Sequence, residues 1–151
     1  PTGGTVSCTK AASQKVTKAV IPSAITYKGF TYKVTGIGAS AFSGCAKLKK
    51  MTISKNVTVI DAKAFNKCKS LTKITLPASV TKIGNNAFKN CRNLKKLIIK
   101  SKKLTKKNLG RQAFKGLTKK TVVQVPKKKL KAYKKLLKQC GLSKSVKVQG
   151  K

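Results

Sequence analysis

The fold of this 151-residue chain is decided by the stretch Val34-Thr-Gly-Ile37-Gly-Ala-Ser-Ala41-Phe42-Ser-Gly-Cys45-Ala-Lys-Leu48-Lys-Lys-Met51-Thr-Ile53. The same pattern begins again at Val57 and at Val80, each time after 23 residues and without a gap. Eight positions keep their residue type in all three copies. Self-similarity at a fixed period of this length is typical of a solenoid, in which each copy forms one coil and neighbouring coils share a continuous core.

The repeat has the form Val-x-x-Ile-Gly-x-x-Ala-Phe-x-x-Cys-x-x-Leu-x-x-Ile-x-Leu-Pro, and the copy from Val80 to Ile99 follows it most closely. This motif resembles the BspA-type leucine-rich repeat of bacterial surface proteins, and the resemblance extends over about residues 16–126. The tail 125–137 also resembles the lysine-rich C-terminal ends of such proteins. The resemblance implies a leucine-rich repeat solenoid of α/β class with short parallel strands. It also implies an extracellular or cell-surface location and a binding or adhesion role.

We expect a single leucine-rich repeat domain over residues 1–151, divided into four parts. Residues 1–33 form an N-terminal half repeat and hairpin cap, 34–100 three full repeats, 101–126 an irregular fourth repeat, and 127–151 a C-terminal helix and cap. In each repeat the segment equivalent to Met51-Thr-Ile53 is predicted to be a strand. The segment equivalent to Ala41-Phe42 is predicted to be a short helical turn on the opposite, convex side, with the phenylalanines stacked as a core spine.

The N-terminal part is predicted to contain short strands, with loop over the rest of residues 1–15. Thr5–Thr9 reads as a short edge strand, and Val16–Pro22 matches the strand segment of a repeat. Apolar and polar residues alternate around Lys28-Gly29 between Ile25 and Val34, which indicates a β-hairpin. Its aromatic residues are expected to cover the open end of the solenoid, although they are also compatible with a platform for stacking nucleic-acid bases; they are Tyr27, Phe30 and Tyr32.

The C-terminal part departs from the regular period. The fourth copy lies 26 residues beyond the third, and the extra residues fall in the lysine-rich loop Ser101–Arg111. Pro126 is predicted to open a helix that Gly141 ends. One face of that helix is apolar and is expected to cap the last repeat, although a basic amphipathic helix is also compatible with binding at a membrane surface; the apolar residues are Leu130, Tyr133, Leu137 and Cys140. Val146–Val148 is predicted to add a last short strand.

The net charge of the chain indicates which classes of partner it is expected to bind. It has 37 Lys and Arg against one acid, Asp61, for a formal net charge of +36. Such a chain favours polyanions: teichoic acid, acidic glycans, anionic lipid headgroups, an acidic protein surface, or nucleic acid without sequence specificity. Only two of the bases are arginine, Arg92 and Arg111, whereas base recognition commonly uses bidentate arginine. No apolar run reaches the length of about 18 residues that a transmembrane helix needs.

Alternation along the repeat strands predicts where a binding face lies. If Met51 and Ile53 point into the core, the residues between and beside them point outward. Because parallel strands stack about 4.8 Å apart, equivalent outward residues form rows. The candidate binding residues are Lys50, Lys73 and Lys96 in one row, Thr52 and Thr75 beside them, and Lys100.

Catalysis, metal binding and cofactor binding are not expected. Cys45, Cys68 and Cys91 recur at the repeat period and are predicted to form a buried column of small apolar side chains. Structural zinc sites use cysteine pairs or histidine, and the chain has no histidine. Gly36-Ile-Gly-Ala-Ser-Ala41 matches the dinucleotide fingerprint, but its glycines are repeat positions. The sequence therefore favours a non-enzymatic binding or adhesion module. The alternatives are a spacer domain attached to the anionic cell envelope and a non-specific nucleic-acid binder.

Overall fold

The computed structural model describes residues 2–151, which form a parallel solenoid of about six turns built on two sheets. The strands are β1 (Thr2–Cys8), β2 (Lys18–Ile21), β3 (Ala24–Tyr27), β4 (Phe30–Ile37), β5 (Lys50–Ile53), β6 (Val59–Ile60), β7 (Lys73–Leu76), β8 (Lys82–Ile83), β9 (Lys96–Ile99), β10 (Val122–Val125) and β11 (Lys147–Gly150). A six-stranded sheet has the order β11-β10-β9-β7-β5-β2 and is parallel throughout. The predicted leucine-rich repeat fold with short parallel strands is confirmed.

A five-stranded sheet lies on the other side of the core and was not predicted. Its order is β1-β4-β6-β8, with β3 added antiparallel to β4. The strands β6 and β8 have only two residues each, and they continue into the segments that were expected to form short helical turns. These turns have i→i+3 hydrogen bonds, such as Cys45 N to Phe42 O at 3.1 Å. They do not lengthen into helices, because alternate backbone N–H groups donate to the next coil.

Those hydrogen bonds between coils repeat at every turn. Phe42 N donates to Ala64 O, Phe65 N to Ala87 O and Phe88 N to Ala113 O, each at 2.8 Å. This geometry needs a left-handed backbone conformation at two positions of each turn. The first position is occupied by Ser40, Lys63, Asn86 and Gln112 in successive coils, and the second by Gly44, Lys67, Asn90 and Gly116. Non-glycine residues adopt that conformation at a cost.

The core is one continuous column of repeat residues. The four phenylalanine rings stack with centroids 5.4, 5.2 and 5.8 Å apart and nearly parallel planes, as predicted; they are Phe42, Phe65, Phe88 and Phe114. All eight repeat positions of the second and third copies are buried. Because opposing charges are nearly absent from the sequence, this apolar burial and the hydrogen bonds between coils must stabilise the fold.

The N-terminal hairpin is present, with β3 paired to β4 around Lys28 and Gly29, which both have positive φ. Its aromatic residues, however, do not all cover the end of the solenoid. Tyr27 is 61% exposed and Phe30 is 43% exposed, whereas Tyr32 packs beside Gly3. The prediction was wrong for Tyr27 and Phe30 because β1 covers the free edge of β4 instead. β1 is also longer than the predicted edge strand.

The C-terminal helix α1 (Leu130–Gln139) follows Pro126 and a 3₁₀-helix at Lys127–Lys129. It buries Tyr133, Leu136 and Leu137, and this places the apolar face of α1 against the fourth repeat. Gly141 ends the helix with φ +91°. The Leu142 N–H donates to Leu137 O and the Gly141 N–H to Lys138 O, which is the Schellman arrangement.

Candidate anion-binding face

The exposed face of the six-stranded sheet carries a row of lysines in register. Lys18 lies opposite Lys50, Lys50 opposite Lys73, and Lys73 opposite Lys96. We call these four residues the lysine ladder. The next residue in the row is Val122, which interrupts the ladder after four consecutive lysines, and the exposed Lys147 of β11 follows it in the same row. Equivalent side chains in adjacent parallel strands lie about 4.8 Å apart, which spaces the four ammonium groups regularly along the solenoid axis.

The alternation of the strands positions these side chains. In β5, Lys50 and Thr52 are exposed while Met51 is buried, and in β7 Lys73 is exposed while Ile74 is buried. The apolar residues are held by the core, and this fixes the lysines on the opposite face. Because the register is set by the repeat itself, a slip by one residue would expose the core and bury lysine.

A groove of about 470 Å³ runs beside the ladder between β5 and β7. Its polar walls contain two ladder lysines and the hydroxyl groups of threonines on both strands, and its residues are Lys49, Lys50, Met51, Thr52, Ile53, Thr72, Lys73, Ile74 and Thr75. The structure thus brings four of the six predicted residues together in one groove: Lys50, Lys73, Thr52 and Thr75.

Lys96 and Lys100 are placed differently from each other. Lys96 continues the ladder opposite Lys73 and is half-buried. Lys100 lies beyond the end of β9, beside a separate depression of about 200 Å³ that it shares with Lys102, Gln124 and Pro126. Because Lys100 is four residues further along the chain than Lys96, it is outside the ladder groove.

Lys18 belongs to the ladder but was missing from the candidate residues. The signal was present, since Val16-Thr-Lys18 aligns with Leu71-Thr-Lys73 in the repeat register. The half repeat was expected to supply a strand, and β2 does so, but its outward lysine was not carried into the site. Lys49 and Thr72 also line the groove. They come directly before β5 and β7, where the alternation of side chains along a strand does not predict which way a side chain points.

The cysteine column has the properties of core packing. Cys45, Cys68 and Cys91 are buried, and the Cys68 and Cys91 thiols each donate a hydrogen bond of 3.1 Å to the carbonyl of a phenylalanine in the preceding coil, Phe42 or Phe65. Burial raises the pKa of Cys91 to about 12 and raises that of Cys68 further. A nucleophilic thiol needs a lowered pKa or an adjacent base, whereas burial raises the pKa of all three thiols and so disfavours their nucleophilic form.

Residues 2–151 contain no cluster of three or more side chains suited to hold a metal ion. Asp61, the single acid, is half-buried and its Oδ1 accepts a hydrogen bond from Ala62 N at 2.9 Å. In the same part of the chain, no helix is long and apolar enough to cross a membrane. The exposed polar side chains of the described residues are mostly lysines, together with hydroxyl and amide side chains and the guanidinium groups of Arg92 and Arg111.

Comparison with known proteins gives the same architecture. A leucine-rich repeat protein from Bacteroides ovatus is 24% identical with a TM-score of 0.68, over 91% of this chain and 31% of that protein. A leucine-rich repeat protein of T. pallidum is also 24% identical, with a TM-score of 0.63, over 80% of this chain and 63% of that protein. The chain thus spans less than two thirds of either protein, and at this identity the likeness concerns the fold. No curated protein matches the sequence.

The sequence itself matches a family described as the BspA type leucine-rich repeat region, with six copies over residues 13–150. The matched region extends beyond the predicted limits of 16–126, and on the C-terminal side it includes β11, the last strand of the six-stranded sheet. Leucine-rich repeat proteins are typically non-enzymatic interaction modules, and no catalytic family is indicated. The chain belongs to the BspA-type leucine-rich repeat family.

Proposed function

We propose that this chain is a non-enzymatic binding or adhesion module of a bacterial surface or secreted protein. It holds anionic polymers, or an acidic partner surface, on the lysine-rich face of the six-stranded sheet. Family membership is consistent with a binding or adhesion module, and the net charge of +36 favours anionic partners.

One observation carries the proposal: the lysine ladder is a like-charge row that folding does not need. Like charges directly opposite each other on neighbouring strands destabilise a sheet. The register places Lys50 between Lys18 and Lys73, with no acidic side chain in the row. A bound polyanion would remove this repulsion and release the counterions of its own charged groups.

The proposal is tested by titrating the protein with wall teichoic acid, heparin, duplex DNA and anionic lipid vesicles at salt concentrations from about 50 to 500 mM. The test variant is Lys50→Gln/Lys73→Gln/Lys96→Gln. Its matched control, Lys131→Gln/Lys134→Gln/Lys138→Gln, removes three exposed lysines from α1 and leaves the ladder intact. Glutamine and lysine have similar helix propensity, so α1 should be preserved.

A binding face on the ladder predicts that the test variant loses much more affinity than the control for at least one ligand. The slope of log K against log salt should also fall by about two to three in the test variant, or roughly one for each lysine removed. Equal losses in the two variants for every ligand would mean that the surface acts as a uniform cation, and the ladder proposal would then be wrong.

The second candidate is a spacer attached to the producer's anionic cell envelope. The wide distribution of exposed lysines favours it, because Lys33, Lys63, Lys107 and Lys131 are spread along the chain and all are exposed. Attachment depends on total charge, so moving the ladder lysines to other exposed positions at constant charge should leave envelope binding unchanged. A shaped binding face should lose its ligand under the same change.

Non-specific nucleic-acid binding remains a third candidate, and the exposed hairpin aromatics favour it. Tyr27 and Phe30 are available for base stacking, and Lys28 Nζ lies 5.5 Å from the centre of the Tyr27 ring. Stacking is worth about 1–3 kcal/mol per base. Tyr27→Ser/Phe30→Ser should therefore weaken single-stranded DNA binding by about tenfold or more if this hairpin is a stacking platform, and should have little effect otherwise.

A further inference from the structure

The lysine ladder has a defined spacing and a defined length. Its four charges lie at intervals of one strand, about 4.8 Å. The uninterrupted run stops because Val122 takes the fifth position, and Lys147 takes the sixth. The row runs along the solenoid axis, perpendicular to the strands. A linear ligand that pairs with every lysine must therefore carry one negative charge for each interval of about this length.

Polyuronates are a class of anionic polymer that carries single charges at a similar interval. Every pyranose ring of a polyuronate bears one carboxylate, and the length of a ring is comparable to the spacing of about 4.8 Å between adjacent strands. On the basis of the function proposed above, we infer that the ladder binds a linear polyuronate, with one sugar ring for each coil and four rings for the whole ladder.

The chemistry of the bases agrees with this ligand. Lysine is a point charge on a flexible stem, so each ammonium can follow a carboxylate even though neighbouring rings of the polymer are rotated relative to each other. A nucleic-acid strand carries a phosphate about every 3.4 Å of helix axis, which is denser than the ladder. A glycan with a carboxylate on every second ring would leave alternate lysines unpaired.

The groove supplies partners for the uncharged part of a sugar. Thr52 and Thr75 lie on the same exposed face as Lys50 and Lys73 and line the same groove. Each threonine hydroxyl can both donate and accept a hydrogen bond, as a sugar hydroxyl does. Thr52 and Thr75 are therefore assigned to the sugar hydroxyls, and the ladder lysines to the carboxylates.

The experiment is calorimetric titration with oligogalacturonates of two to eight rings, in a calcium-free buffer at about 150 mM salt. We expect affinity to rise with each ring up to four, to change little at five, where Val122 has no charge, and to rise once more at six, where the oligomer reaches Lys147. Lys50→Gln/Lys73→Gln/Lys96→Gln should weaken the four-ring oligomer by about tenfold or more. The α1 control variant should weaken it by less than about twofold.

Threonine variants separate sugar recognition from charge. Thr52→Val/Thr75→Val removes two hydroxyls, keeps the side-chain shape and suits a strand. It should weaken the four-ring oligomer several-fold without changing the salt dependence. Hyaluronate oligomers of equal charge, which have a carboxylate on every second ring, should bind more weakly than oligogalacturonate.

The outcomes distinguish this inference from the proposed function. Affinity that keeps rising to eight rings, or hyaluronate binding as tightly as oligogalacturonate, would overturn the polyuronate assignment. The binding face would survive that result as long as the ladder variant still lost affinity for another polyanion. Equal losses in the ladder and α1 variants for every ligand would overturn both.

Discussion

The hydroxyl of Tyr133 accepts a hydrogen bond of 3.1 Å from Leu104 N and donates one of 2.9 Å to Ser101 O. It thereby joins α1 to the loop that makes the fourth coil longer than the others. Tyr133→Phe leaves both backbone groups buried without a partner, so we expect the protein to be less stable by about 1–3 kcal/mol. Hydrogen exchange should locate the change at the Leu104 amide. Unchanged exchange there would contradict this role.

Lys67 adopts φ +60° at a position where two other coils have glycine, Gly44 and Gly116. Left-handed backbone costs an L-residue about 1–2 kcal/mol, and glycine removes that cost but gains freedom in the unfolded chain. Lys67→Gly should therefore stabilise the protein by about 0.5–1 kcal/mol in urea unfolding. The control Lys69→Gly removes the same charge where φ is not positive, and it should destabilise by a similar amount.

Gly84 allows two coils to approach closely. A Cβ built on Gly84 would lie 2.6 Å from Asp61 C and 2.7 Å from Ala62 Cα, and neither backbone atom can move aside. We expect Gly84→Ala to destabilise the protein by at least about 3 kcal/mol. Gly4→Ala is the matched control, because a Cβ there has nothing within 4 Å. Similar thermal midpoints for the two variants would contradict the close approach.

Lys73 repels Lys50 and Lys96, which lie opposite it on both sides. Lys73→Glu replaces two repulsive cross-strand contacts with two attractive ones, each worth about 0.2–1 kcal/mol. It should raise stability in ligand-free buffer and abolish oligogalacturonate binding. Lys69→Glu makes the same charge change away from the ladder. The stability gain at Lys73 should exceed the gain at Lys69, and the difference should shrink at high salt.

The cysteine column predicts how stability changes with pH. Burial raises the pKa of Cys91 from 9.0 to about 12 in the folded protein. Above pH 9 the unfolded state releases the thiol proton while the folded state keeps it. The resulting stability is complete below pH 9 and is lost as pH rises towards 12, by up to about 1.4 kcal/mol per pH unit.

Cys91→Ala should therefore show a flatter decline in unfolding free energy between pH 8 and 11 than the unaltered protein. Titration of the lysines is common to both proteins, so the difference in slope isolates the thiol. Denaturant unfolding in the presence of a reductant measures it. Parallel curves would contradict the burial of this thiol.

The repeat register was predictable because stacking makes severe demands on sequence. Each coil must place its apolar residues over those of the next, so the core positions at Ile60, Phe65 and Leu71 recur after 23 residues at Ile83, Phe88 and Leu94, and all six are buried. The same register fixes which lysines point outward. The row of Lys50, Lys73 and Lys96 could therefore be predicted from the repeat spacing.

Local backbone geometry could not be predicted in the same way. The first left-handed position has a different residue in each of the four coils, namely Ser40, Lys63, Asn86 and Gln112. No single residue type therefore predicts it. The hydrogen bonds between coils impose the conformation instead. Similarly, β6 and β8 have two residues each, which is too few for an alternating pattern to appear.

The candidate site was predicted in part, and its limits came from tertiary placement. Lys100 was predicted from the same repeat pattern, but it lies beyond the end of β9, beside a separate depression. The exposure of Tyr27 and Phe30 depends on β1, which pairs with β4 at the end of the solenoid that the hairpin aromatics were expected to cover. Periodicity contains no information about either, because both arise where the repeat is interrupted.

The longer fourth coil has a mechanical consequence. Within the five-stranded sheet, β8 meets that coil only through one bridge, Ile83 to Leu109, whereas β6 and β8 are joined by two register pairs. A pull along the solenoid axis loads the interfaces between coils in series, so the weakest opens first. Such a pull would therefore strain the five-stranded sheet first beside Leu109 and the six-stranded sheet first between Lys50 and Lys73, because each of these joints has a single register pair.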